Sequence, residues 1–290
     1  MLHRFVLHND RVQEASSQTL AAGQVGLLAG WGVFSTLRVA EGVLFAFERH
    51  WARMQRDAAL LHVPLEEDAD TLRARLLELV EANQAYESTL RVAIVRNGGG
   101  MWTGPSTGRA SDLVALTADT KDWGHGVKLA LQPQARHAAC EFAGTKSLSW
   151  AMNLTWLENA QQRGFDEVIL LNERGEVSEC TSANIFIANG NQVWTPPLNS
   201  GCLPGVTREL LLAEVHTPGI EVREKPPMLA DLKAADEVFI TSTTRDLLPV
   251  IEIEGAKAGR TQAAQTALTV AFRARLRQYI AEHKQASAKA

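Results

Sequence analysis

Lys146 is the only lysine between Lys128 and Lys225, and it follows the small residues Ala143-Gly144-Thr145. A lysine amine can attack a carbonyl only when part of it is deprotonated. Burial or nearby positive charge achieves that by lowering its pKa from about 10.4. The apolar approach through Phe142 and Ala143 suits such desolvation. Downstream, Glu179 lies on a stretch, residues 177–187, that carries no other charge. A carboxylate buried there needs a cationic partner, and a protonated pyridine nitrogen is one. Leu203-Pro204-Gly205-Val206-Thr207 then runs into a helical pattern over 206–215. The free N–H groups and dipole of a helix start favour a phosphate, and the Thr207 hydroxyl adds a donor. Thr241-Ser242-Thr243-Thr244, after the strand-like residues 237–240, is a second hydroxyl-rich turn suited to phosphate oxygens. Arg53, on a helical stretch, is a candidate for a bidentate phosphate contact.

Each residue also has a plainer reading. Lys146 and Arg53 can be solvated cations, Glu179 an edge-strand carboxylate, and Thr207 a helix cap with nothing bound. Taken together, an amine, a carboxylate and anion-binding turns are what a charged aldehyde cofactor requires, and pyridoxal 5'-phosphate is the one they imply.

The elements that must position these residues are legible in outline. Residues 33–39 and 43–47 form two β-prone runs around Glu41-Gly42 and read as a hairpin. Trp51, Met54, Ala58 and Leu61 give helical spacing over 48–61, and Leu72, Leu76, Leu77 and Val80 give a second helix from about Asp70, read as its N-cap. Residues 89–95 and 113–116 read as strands. Thr117 to Gly126 is polar, glycine-containing and without period, the pattern of a linker. Beyond it, strands are expected near 127–131, 167–171, 177, 185–188, 192–195, 220–222 and 237–241. Helices are expected over 151–163, 206–215 and 261–283.

Composition narrows the classes. A chain of 290 residues with 46% hydrophobic and 21% charged residues is an ordinary soluble globular protein of one large or two modest domains. A net charge of -4 with scattered basic residues gives no footprint for nucleic acid. No run approaches the about 18 apolar residues of a membrane span, and no signal-peptide core opens the chain. Three cysteines without a CxxC make no disulfide framework, so a reducing cytoplasm is expected.

The order of the motifs resembles the class IV (fold-type IV) pyridoxal-phosphate enzymes, the group of branched-chain and D-amino-acid aminotransferases and aminodeoxychorismate lyase. The resemblance runs from about Gly30 to Val250. It rests on His50-Trp51-Ala52-Arg53, on Lys146, on the block from Gly164 to Phe186 (GFDEVILLNERGEVSECTSANIF), on LPGVTR at 203–208, and on the stretch 236–250. The resemblance implies an α+β fold of two domains: a small N-terminal α/β domain over 1–116, an interdomain loop over 117–126, and a larger cofactor-binding pseudo-barrel α/β domain over 127–290. It implies a homodimer whose interface contributes to the active site. It also implies that Lys146 is the Schiff-base lysine and Cα base, Arg53 a phosphate ligand and Glu179 the partner of the ring nitrogen. Thr181, Ser182 and Asn184 would stand near the cofactor, with Leu203 on the ring and Val206, Thr207 and Thr243 on the phosphate. The implied reaction passes an amino group between an amino acid or amine and a 2-keto acid.

The subfamily is less defined. Branched-chain enzymes tend to have Phe-Glu-Gly where this chain has Phe34-Ser35-Thr36, and Asn-Tyr where it has Ser149-Trp150. Residues 34–39 and 95–100 are similar to segments of aminodeoxychorismate lyase, which ends in pyruvate and 4-aminobenzoate. The reading is therefore transferase first, lyase second, and a non-catalytic cofactor carrier third. Substrate contacts are expected from Phe34, Thr36, Arg91, Arg96, Trp150 and Thr244, with Arg38 a further cation and Trp31 and Trp102 further apolar walls. Strand alternation sets Arg91 and Arg96 on opposite faces unless the strand ends or bulges between them.

Overall fold

The computed structural model describes residues 1–17, 20–21, 23–100 and 108–287, so Trp102 lies outside the described residues. The chain forms two compact units. One is Met1–Lys121 with Thr145–Trp150 and the chain from Tyr279 onward, and the other is Asp122–Gly144 with Ala151–Gln278.

The first unit contains β1 (Leu2–His8), β2 (Arg11–Glu14), α1 (Val25–Ala29), β3 (Gly32–Ala40), β4 (Val43–Leu44), α2 (Phe47–Leu60), α3 (Ala69–Ala82), β5 (Ser88–Arg96) and β6 (Ser111–Asp119). The strands form one antiparallel sheet in the order β2-β1-β6-β5-β3-β4. Val33, Leu37 and Val39 of β3 and Leu90, Val92 and Ile94 of β5 pack with Trp51, Met54 and Ala58 of α2 and Leu72, Leu76 and Leu79 of α3. Period-2 alternation therefore turns Phe34, Thr36 and Arg91 to the other face, with Thr36 directly opposite Arg91 in the ladder.

Three expectations need correction here. The second arm of the predicted hairpin is only Val43–Leu44, because Ala46 adopts a left-handed conformation (φ 53°) and starts α2 at Phe47. The cap of α3 is Asp68, whose carboxylate accepts the Thr71 N–H at 2.8 Å, while Asp70 falls within the first turn. The loop expected from Thr117 starts later, because β6 continues to Asp119, with Thr117 paired to Leu90 and Asp119 to Ser88.

The second unit contains β7 (Val127–Arg136), α4 (Ala151–Gln162), β8 (Glu167–Asn172), β9 (Val177–Cys180), β10 (Asn184–Asn189), β11 (Gln192–Thr195), α5 (Val206–Ala213), β12 (Glu221–Glu224), α6 (Leu229–Ala234), β13 (Glu237–Ser242), β14 (Asp246–Ile253), β15 (Ala256–Lys257) and most of α7 (Ala263–Ser287). Its mixed sheet runs β12-β11-β10-β13-β14-β7-β8-β9, with β15 on β14. The Cys180 N–H donates to the Ala183 carbonyl at 2.8 Å, so the end of the path at β9 returns to the start of β10. The sheet is thus curled into a pseudo-barrel. Leu129, Ile169, Val177, Ile185, Ile187, Val238, Ile240 and Val250 fill its core. The nearly continuous apolar runs of β8 and β10 follow from burial on both faces.

Candidate active site

Lys146 is held by its backbone before its side chain does anything. Ser147 bridges Val33, the Phe34 N–H donates to the Lys146 carbonyl at 3.0 Å, and the Leu148 N–H donates to the Gly32 carbonyl at 2.9 Å. The lysine segment belongs to the first unit for this reason. Gly32 is required by the close approach: a Cβ there would lie 2.4 Å from the Ile94 carbonyl oxygen and 2.5 Å from Leu148 Cδ1. The Lys146 N–H donates to Asp57 Oδ2 at 3.0 Å, and Asp57 is 1% exposed on α2. Both polar groups of this peptide are therefore fixed.

The ammonium lies 4.4 Å from the Phe34 ring centroid and 4.7 Å from that of Trp150. These two rings meet edge to face at 5.5 Å. The Arg91 guanidinium lies 4.0 Å from the Phe34 centroid, on the face that carries Thr36. Lys146, Phe34, Trp150 and Arg91 thus come together. Arg96 does not join them. β5 keeps its register to Arg96, so that side chain takes the other face, 3.9 Å from the Trp31 centroid. Its Nε and Nη1 donate to the carbonyls of Gly98 (2.7 Å) and His62 (2.6 Å). Arg53 is buried on α2 and donates from Nη2 to Ser35 Oγ at 2.9 Å.

Sequence reasoning missed Asp57, which looks like any helix carboxylate in a chain read without coordinates. Asp57→Leu should lower turnover by about ten- to a hundredfold, since misplacing a reacting group by about 1 Å costs about 10²-fold. Asp57→Asn, which keeps an acceptor, should stay much closer to wild type; steady-state kinetics of the two variants checks this.

In the second unit Glu179 is buried on β9, and its cationic partner in the fold is Arg136, whose Nε donates to Oε1 at 2.9 Å. Arg136 Nη2 also reaches Asn153 Oδ1 on α4 at 3.2 Å. The second carboxylate oxygen accepts the Leu203 N–H at 3.0 Å, so Glu179 is tied to the LPG turn. Asn184 braces the same turn, its Nδ2 donating to the Leu203 carbonyl at 2.8 Å. A Cβ at Gly205 would lie 2.0 Å from Asn184 Oδ1, so only glycine fits.

Gly205 is the N-cap of α5 and offers no side chain to cap it; Val206 and Thr207, both buried, are the first two helical residues. Thr207 therefore does not cap the helix, which removes the plainest alternative for it. Across the β10/β13 ladder, Thr241 faces Asn184, and its buried hydroxyl has no hydrogen-bond partner among the described residues. An uncapped helix start, a glycine cradle and an orphaned hydroxyl beside them fit an anionic group. Thr243 stands in the turn between β13 and β14, and Thr244 Oγ1 lies 3.4 Å from Ser242 Oγ.

Thr181 and Ser182 have partners for their hydroxyls within the second unit. Their hydroxyls donate to Glu167, a carboxylate 1% exposed at the start of β8. Arg245 closes the cluster, with Nη2 3.3 Å from Glu167 Oε2 and 3.0 Å from Ser182 Oγ, beneath the Trp123 ring at 3.8 Å. Burying an acid without such partners would be costly, so the two hydroxyls compensate Glu167 and brace the turn that ends in Arg245. Burial, and next the charge of Glu179, push the neighbouring Cys202 thiol up to about 11, so it stays protonated at neutral pH.

Gly205→Ala should destabilise the protein by about 1–3 kcal/mol through overpacking against Asn184. It should also weaken cofactor binding; thermal melts with and without added pyridoxal phosphate measure both.

The family profile described as Amino-transferase class IV matches residues 32–253. The chain is 31% identical over 273 residues to a D-alanine aminotransferase of Bacillus licheniformis, covering 91% of this chain and 95% of that one. It is also 31% identical over 234 residues to a putative branched-chain-amino-acid aminotransferase of Methanocaldococcus jannaschii, covering 79% and 81%. Among solved structures it is similar to the branched-chain aminotransferase of Thermoproteus uzoniensis, with a TM-score of 0.84 at 26% identity over 93% of this chain and 94% of that one. The chain belongs to the class IV aminotransferases. It is an enzyme of the pyridoxal-phosphate-dependent kind, and no helix among its described residues is long and apolar enough to cross a membrane.

Proposed function

We propose that this aminotransferase takes the amino group of a small amino acid, with Lys146 as the amine that holds the cofactor and then moves the Cα proton. The observation that carries the reading is the setting of Lys146: a peptide fixed at both polar groups and an amine between Phe34 and Trp150, beside Arg91. When bound, pyridoxal phosphate supplies an aldehyde that condenses with amines and a ring that takes up the electrons released at Cα. Glu179 would accept the ring N–H and keep that nitrogen protonated. The N–H groups of Val206 and Thr207, the hydroxyls of Thr207 and Thr243 and the guanidinium of Arg53 are the groups that would hold the phosphate. Leu203 would pack against the ring, with Asn184, Thr181 and Ser182 holding the turns near it. Lys146, once released, would be the base that removes the Cα proton and returns it to the cofactor's former aldehyde carbon.

Arg91 is the cation for the substrate carboxylate, with Phe34, Thr36 and Trp150 as the walls for its side chain. The named relatives act on D-alanine and on branched-chain amino acids, and a small apolar donor agrees with aromatic walls. The test is an absorbance titration of the purified holoenzyme with L- and D-amino acids, simple amines and aminodeoxychorismate. Conversion of the cofactor band to its amine form by some amino acids supports the proposal and names the donor. Consumption of aminodeoxychorismate alone, with 4-aminobenzoate appearing, establishes the lyase reading that residues 34–39 and 95–100 suggest.

The protein is further proposed to work as a homodimer in the cytoplasm. Light scattering of the purified protein decides the oligomeric state.

A further inference from the structure

We infer that Ser35 and His50 form a buried seat that orients Arg53, and are positioning residues for recognition of the cofactor phosphate. The inference rests on the assignment of that phosphate to Arg53. His50 and Arg53 stand three residues apart on α2 and share one helix face. Ser35 lies on the face of β3 that packs against the helices, with Val33 and Leu37 on either side of it along the strand. All three are buried, at 0% exposure for Ser35, 1% for His50 and 8% for Arg53.

The direction of the hydrogen bonds follows from what each group can do. Arg53 Nη2 only donates, so Ser35 Oγ, at 2.9 Å, accepts. Arg53 Nη2 also lies 3.5 Å from His50 Nδ1, and a group that only donates calls for an unprotonated nitrogen there, so the Ser35 hydroxyl donates to Nδ1 at 2.8 Å. The imidazole is therefore neutral with its proton on Nε2, which is buried without a partner among the described residues. Burial, followed by the charges of Arg53 and Lys146, holds the His50 imidazole well below its ordinary range, which agrees with that arrangement. A packing role alone would be met by an apolar residue at position 50. A buried imidazole with one nitrogen left unpaired is a cost, and the bond to Ser35 is what it provides in return.

The experiment compares two ligands of the apoprotein, pyridoxal 5'-phosphate and pyridoxal, which differ only in the phosphate. Equilibrium titration followed by absorbance would cover the wild type, Ser35→Ala, His50→Leu, His50→Asn and Arg53→Met, with melting curves to confirm that each is folded. Ser35→Ala and His50→Leu are expected to weaken binding of the phosphorylated ligand about tenfold, the size of one hydrogen bond to a charged group, and to leave pyridoxal unchanged. His50→Asn, whose Oδ1 stands where Nδ1 stood, is expected to restore most of that affinity. If Ser35→Ala and His50→Leu leave both ligands unchanged while Arg53→Met loses the phosphorylated one, the seat is overturned and the Arg53 assignment stands. If the two variants lose both ligands equally, they act on the fold and the seat is again overturned. If Arg53→Met itself shows no preference between the ligands, the phosphate assignment fails, and the inference fails with it.

Discussion

Lys146→Ala is expected to bring transamination to background, at least about 10³-fold below wild type, because one side chain performs both the covalent and the proton-transfer work. Its backbone contacts would survive the substitution: the N–H to Asp57 and the carbonyl to Phe34 belong to the peptide. The fold should therefore be nearly unchanged, and melting curves would show it. Lys146→Arg separates charge from reactivity. It keeps a cation between Phe34 and Trp150, but a guanidinium is never deprotonated in a protein and cannot act as the amine. Both variants should be inactive, and both should lose the absorbance band of the lysine-bound cofactor. A Lys146→Ala enzyme that still turned over would place the chemistry elsewhere.

The segments at Lys146 and at 203–208 stand out in the sequence because their patterns are local. LPGVTR needs no tertiary information to be recognised as a turn entering a helix, and Gly205 is fixed by a contact that only glycine allows. Glu179 was legible for a different reason: a single charge in an apolar run must find a cation. Which cation was not legible. Arg136 is distant in sequence, and nothing in its neighbours marks it as the partner of a carboxylate on β9. The same holds for Asp57, whose role comes from a lysine peptide reaching α2, and for Glu167 with Arg245, joined across 78 residues. The motif marks Thr181 and Ser182 as neighbours of a cofactor, and the buried Glu167 that takes their protons in the fold is not marked beside them. Hydrophobic period gave the helices and most strands. It could not see that Ala46 turns left-handed and ends the hairpin early, or that β6 keeps pairing through Asp119. Local pattern reports what a segment can do, and partners far along the chain decide which of those things it does.

Glu179→Gln should lower turnover by about 10²–10³-fold, the typical cost of losing one preorganised electrostatic contact at a reacting centre. An amide cannot hold the ring nitrogen protonated as a carboxylate does. The substitution also has a structural cost that must be separated from the catalytic one. Arg136 and Glu179 have side chains only 16% and 10% exposed, so the amide leaves a nearly buried guanidinium without its counter-charge. Breaking such a pair costs up to about 3–5 kcal/mol, whereas replacing both partners by neutral groups is often close to neutral. Glu179→Gln alone should therefore lose both stability and activity. Glu179→Gln with Arg136→Met should regain most of the stability and none of the activity. Denaturant unfolding and steady-state kinetics on the single and double variants read the two effects independently. If activity returned together with stability in the double variant, Glu179 would matter only as the anchor of Arg136, and the electron sink would need another proton acceptor.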